Sequence, residues 1–178
     1  MPPIPNHQIH AGLQQIVTAA GTAEKGRALE NFVCELFPFI PGIEIAQRNA
    51  LNAFETEELD VALWNARHQE GLYFLPNILL VECKNWSNPV GSQEVSYFVQ
   101  RLRHRGCDHG ILFATNGITG VPADLTRAHY EIAAALESGT RVMVVTSEDI
   151  ADIAHSDALV SLLKLKLCQL VVSGTNFL

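Results

Sequence analysis

The chain has 178 residues, 48% of them hydrophobic and 17% charged, which fits one ordinary globular domain with enough apolar material for a core. No apolar run reaches the roughly 18–20 residues of a membrane span, and the opening Met1-Pro2-Pro3-Ile4-Pro5 lacks the basic end and apolar centre of a signal peptide. A net charge of −7 weighs against a general nucleic-acid coat, which rests on excess Lys and Arg, but allows one local phosphate-binding patch.

In chain order, His7 to Ala20 carries Ile9, Leu13, Ile16 and Val17 at helical spacing, and Gly21-Thr22 then offers a break and an N-cap. A second helix is expected from Ala23 to Phe37, with Leu29, Phe32, Val33, Leu36 and Phe37 as its apolar stripe and Glu30 at the stripe's edge. Pro38 and Pro41-Gly42 end it. Three strand candidates follow: Ile43 to Leu51, Glu58 to Asn65, and a run ending at Asn85 that starts at Ile78 or as early as Tyr73. In the second, Leu59, Val61 and Leu63 share one face, and Asp60, Ala62 and Trp64 the other.

The third strand organises the rest. Ile78, Leu79, Leu80 and Val81 are consecutive apolar residues, as in a strand covered on both faces. A period of two puts Ile78, Leu80, Glu82 and Lys84 on one side and Leu79, Val81 and Cys83 on the other. An acid and a base closing a buried strand on the same side are costly unless paired or used; the bland alternative is a surface ion pair.

Past Asn88-Pro89 and Gly91-Ser92, a helix is expected from Ser92 to Arg105, with Val95, Phe98, Val99 and Leu102 inward. Its other face carries Gln93, Tyr97, Gln100 and His104, and Arg101, Arg103 and Arg105 cluster near its end. Those arginines suit either the helix macrodipole or phosphate binding. Next come a strand from Gly110 to Thr115, a loop to Pro122, a helix from Ala123 to Glu137, a strand from Arg141 to Thr146, Ser147 as the N-cap of a short helix, and a last helix from Ala158 to Leu170. Cys34, Cys83, Cys107 and Cys168 show no C-x-x-C pair and read as reduced cytoplasmic thiols. His104, His109 and His129 have no ligand-like spacing and read as surface or packing residues. Glu57 and Glu58 read as strand-edge charges, with Glu58 a substitute ligand if the register slips by two.

Three strands in a row suggest an antiparallel meander, and the later alternation suggests parallel additions: an α/β domain with a mixed sheet and helices on both faces. If the second and third strands pair as a hairpin, Asp60 lies beside Glu82. Adjacent buried carboxylates repel unless one is protonated or a cation lies between them. A hard divalent ion such as Mg²⁺ resolves this with oxygen ligands, and it also lowers the pKa of a bound water. Lys84 would then orient the attacking water or stabilise charge on phosphorus.

Asp60, twenty-one intervening residues, then Glu82-Cys83-Lys84 resembles the PD-(D/E)xK nuclease signature. Glu30 is similar to the first-helix acid of the Mrr-type, restriction-endonuclease-like branch, and Gln93 to Tyr97 matches the Q-x-x-x-Y pattern of RecB-like members. Leu59 stands where the family often has proline. The resemblance covers roughly Gly26 to Thr146. It implies a three-layer α-β-α fold with core order α-β-β-β-α-β, after a helical lead over 1–22, in a nuclease-like domain over 23–178. It further implies Asp60, Glu82 and the Cys83 carbonyl as metal ligands, Lys84 as the catalytic lysine, Glu30 in support directly or through water, and Gln93 and Tyr97 at the edge toward DNA or the lysine. Apart from the resemblance, the functional reading of the arginine cluster makes Arg101 and Arg105 phosphate clamps. The expected activity is a Mg²⁺-dependent endodeoxyribonuclease of restriction, phage defence or repair, with Mn²⁺ able to substitute. DNA is the expected partner, with sequence selectivity either absent or supplied by a homodimer mate, a second protein or DNA shape. The rival readings are a Holliday-junction-type resolvase, which needs a dimer and a wide basic surface, and a catalytically inactive binding module, which has no need of two adjacent carboxylates.

Overall fold

The computed structural model describes residues 2–51, 58–123 and 125–177. Among them five strands form one sheet in sequential order: β1 (Ile43–Leu51), β2 (Glu58–Asn65), β3 (Ile78–Lys84), β4 (His109–Ala114) and β5 (Arg141–Val145). The pairs β1–β2 and β2–β3 are antiparallel, while β3–β4 and β4–β5 are parallel. Parallel neighbours need a crossover, and α3 (Ser92–His104) and α4 (Ala128–Glu137) supply the two. With α1 (Asn6–Thr18), α2 (Thr22–Leu36), α5 (Ser147–Ala151) and α6 (Ser156–Ser173), the result is the expected α/β fold with a mixed sheet between helical layers.

Period-two alternation divides the core. Leu79, Val81 and Cys83 join Val61, Leu63, Ile111 and Phe113 on the face covered by Leu29, Phe32, Val33 and Leu36 of α2. On the other face, Leu80 joins Ala62 and Leu112 beneath Val95, Phe98, Val99 and Leu102 of α3. Helix α1 lies so close on α2 that a Cβ on Gly12 would stand 2.2 Å from the Phe32 ring. Helix α6 wraps the sheet edge, giving Leu159, Val160 and Leu163 to the first core and Leu170 to the second. Among the described residues no helix is long and apolar enough to cross a membrane.

Differences from the expected elements have local causes. β3 begins at Ile78 and not at Tyr73, because residues 72–76 turn around Asn65: its buried amide donates to the carbonyls of Leu72, Leu75 and Pro76 at 2.8, 3.2 and 3.0 Å. Thr22 is the first residue of α2, and Gly21 holds the N-cap position with no side-chain bond. Thr146, not Ser147, caps α5, in a capping box closed by the Asp149 carboxylate. Helix α4 starts five residues later than expected. Leu125 and Arg127 have φ of 48° and 53°, and the Thr126 hydroxyl accepts the Val121 N–H at 2.9 Å, offering the chain a turn in place of a helix. Glu57 and residue 124 of that expected helix lie outside the described residues.

Candidate active site

The β2–β3 ladder runs from Trp64↔Ile78 to Val61↔Val81 and stops there. Continuing that register sets Asp60 opposite Glu82. Beyond this point β2 stays paired with β1 through Ala50↔Leu59 and Leu51↔Glu58, while β3 stays paired with β4 through Glu82↔Leu112 and Lys84↔Ala114. Asp60 bridges the interruption: its Oδ2 accepts the Cys83 N–H at 2.6 Å, taking the place of a ladder partner. The N–H and C=O of one strand residue point to the same edge, so the Cys83 carbonyl also faces the side of Asp60. Where the ladder ends, a cavity of about 370 Å³ opens, lined by Glu58, Asp60, Glu82, Lys84, Tyr97, Gln100 and Arg101.

Glu82 is 1% exposed, and a carboxylate so deeply placed is tolerable only with strong partners. Its Oε1 has two: Lys84 Nζ at 2.7 Å and Arg101 Nη2 at 2.6 Å. Its Oε2 is buried with no hydrogen-bond partner. Asp60 is pushed up from 3.8 to about 6, first by burial and then by the negative charge of Glu82, against the opposing Cys83 N–H and Lys84. Two acids at one cavity, Asp60 raised partly by the charge of Glu82 and Glu82 with an unpartnered oxygen, form a donor set suited to a hard cation with oxygen ligands. Among the described residues no group of three or more His, Cys, Asp or Glu side chains is arranged to hold a metal, so any such site rests on two carboxylates and main-chain or solvent oxygen.

A restriction endonuclease family model, of the Mrr catalytic type, matches residues 23–135. The chain belongs to the Mrr-type restriction endonuclease family. The matched span runs from the start of α2 into α4 and contains every strand and helix that lines the cavity. No curated protein matches the chain.

In this Mrr-type nuclease domain the residues singled out from the sequence take unequal places. Asp60, Glu82, Lys84, Tyr97 and Arg101 line one cavity. Glu30 does not line it: from α2 its Oε2 lies 3.6 Å from Arg48 Nη2, and its charge reaches Asp60 only as the weakest of the influences on that carboxyl. The Cys83 thiol is buried in the α2-side core, which pushes its pKa well above the ordinary value, so only its main chain faces the cavity side. Gln93 is not in the lining, but its Nε2 donates to the Tyr97 hydroxyl at 2.7 Å and so holds a half-exposed ring at the cavity mouth. Arg105 Nη1 donates to the Arg101 carbonyl at 3.4 Å, along its own helix.

Three features of the site go beyond the sequence reading. Gln100, one turn after Tyr97 on the same helix face, completes the lining; the spacing that singled out Tyr97 also points to it. Trp86 lies beneath the lysine, its ring centroid 5.7 Å from Lys84 Nζ. Arg101 binds Glu82 and, through Nη1 at 2.9 Å, the Glu58 carbonyl, so in this state it grips the protein and not an open phosphate site.

Proposed function

We propose that this nuclease domain hydrolyses DNA phosphodiester bonds with a divalent cation, Mg²⁺ or Mn²⁺ in its place, held by the Asp60 and Glu82 carboxylates and the Cys83 carbonyl. The observation that carries this reading is the pair of acids facing one cavity where the β2–β3 ladder ends, one with an unpartnered buried oxygen and the other raised to about 6. Such a cation lowers the pKa of water and offsets charge gathering on phosphoryl oxygens. The chain's own residues do the rest. Lys84, on the same strand face as Glu82, sets an ammonium group at the cavity wall, where it neutralises negative charge on the phosphoryl oxygens during in-line attack by water. The water oxygen bonds to phosphorus and releases a proton to solvent, the bridging P–O bond breaks, and the leaving alkoxide takes up a proton from solvent. Tyr97, steadied by Gln93, with Gln100 beside it, borders the mouth through which a sugar-phosphate strand enters. Glu30 acts on Asp60 through its charge at a distance.

The test is cleavage of supercoiled plasmid with Mg²⁺, Mn²⁺ or chelator, beside Lys84→Ala. The expected result is metal-dependent nicking that falls by at least about 100-fold in the variant, the scale of removing one group that stabilises transition-state charge. Equal nicking by both proteins would refute the assignment.

A further inference from the structure

Resting on that reading, we infer that Arg101 is a resident counter-ion of Glu82, displaced when the cation binds and taken up by a DNA phosphate, so that DNA and cation bind cooperatively. One buried carboxylate oxygen here has two cationic partners, Lys84 at 2.7 Å and Arg101 at 2.6 Å. The cavity lining holds three acids, Glu58, Asp60 and Glu82, and two bases, Lys84 and Arg101, before any ion enters, and both bases are spent on Glu82. A divalent ion on Glu82 adds a third positive partner at a residue 1% exposed, where like charges repel strongly. The open oxygen is Oε2, so the ion shares one carboxylate with both cations on Oε1 and loosens their hold, and the fold decides which lets go. Lys84 is anchored two residues from Glu82 on the same strand, paired to β4 through Ala114. Arg101 reaches across from α3 on a long arm, and among the described residues its guanidinium holds, besides Glu82, a single main-chain carbonyl, Glu58 at 2.9 Å. Its planar fork suits a phosphate as well as a carboxylate, and it already lines the cavity where the phosphodiester would lie.

Arg101 therefore competes with the cation in DNA-free protein, and a phosphate relieves the competition. The coupling is reciprocal: whatever factor DNA adds to cation affinity, the cation adds to DNA affinity.

The experiment is Mn²⁺ binding to the full chain, followed by the free-Mn²⁺ paramagnetic resonance signal, for wild type, Arg101→Gln and Arg101→Lys. Each is measured with and without a short phosphorothioate duplex, after thermal melts confirm cooperative folding. The expected result is that Arg101→Gln tightens Mn²⁺ on the order of tenfold without DNA. The duplex then tightens Mn²⁺ by a comparable factor in wild type and by much less in Arg101→Gln. Arg101→Lys, which keeps the charge but cannot span Glu58 and Glu82 as a fork, should fall between them, and it carries the test if the Gln variant does not fold. Unchanged or weaker Mn²⁺ affinity in a folded variant, with metal-dependent plasmid cleavage by wild type intact, overturns the Arg101 proposal alone. No Mn²⁺ binding by any of the proteins, with or without duplex, overturns it together with the metal-nuclease reading.

Discussion

Asp60 opposes folding whenever it is ionised. Its carboxyl titrates at about 6 in the folded chain against 3.8 ordinarily, so between those values the folded state holds a proton that the unfolded state has released. Stability is therefore fully present below about pH 4 and is lost as pH rises through 6, amounting to about 3 kcal/mol at neutral pH. Asp60→Asn, whose side-chain oxygen can still accept the Cys83 N–H, should be more stable than wild type to urea at pH 7.5 in chelator, and the gain should vanish near pH 4. Mg²⁺ should raise the melting temperature of wild type and leave the variant unmoved. A variant no more stable than wild type at pH 7.5 would count against the buried, repelled carboxylate. At this scale the meeting of Asp60, Glu82 and Lys84 at one cavity was readable from alternation and the expected β2–β3 hairpin, although alternation fails at Leu59, which packs with Ala62 and not with Val61 and Leu63. The partner of Arg101 was not readable. It lies nineteen residues away on another element, and only the rotation of α3 over the sheet decides whether a helix-end arginine meets solvent, phosphate or Glu82.

The element that positions the cavity wall is α3, and its seat on the sheet is tight. A Cβ on Gly110 of β4 would lie 2.7 Å from Leu102 and 2.8 Å from Phe98, so Gly110→Ala should force α3 outward at about 1–3 kcal/mol. Because Tyr97, Gln100 and Arg101 ride on that helix, cleavage should fall by more than the loss of folded protein explains, which urea melts and activity at a stabilising temperature would separate. Asn65 is the corresponding anchor for the turn into β3. Its truncation in Asn65→Ala strips three carbonyls of their donor and should cost about 2–4 kcal/mol in urea denaturation. The strands and α3 were legible because their apolar spacing is strong and their burial follows it. The turn at 72–76 and the late start of α4 were not, because side-chain amides and hydroxyls bonding to distant main chain decide them. No hydropathy pattern records those bonds.

For the whole molecule, a net charge of −7 means that DNA is met locally. Among the described residues only Lys84 and Arg101 supply positive charge to the cavity lining, so DNA affinity should fall with salt on a log–log slope of about −2 to −4. Fluorescence anisotropy titrations of a duplex at several salt concentrations measure that slope. A value near −8 would require a broad basic face that this arrangement does not supply. The fold class and the sheet's mixed pairing were legible because element order leaves few topologies open. The interruption between β2 and β3 was not, since two strands of matched length give no sign of where their ladder ends, and it is this opening that turns a hairpin into a cavity.

Anomalous diffraction from crystals grown with Mn²⁺ is the most direct test of whether Asp60 and Glu82 share a cation. The expected result is one strong manganese peak within coordination distance of both carboxylates and the Cys83 carbonyl. Metal-dependent cleavage in solution, accompanied by a peak elsewhere or by none at this cavity, would contradict it.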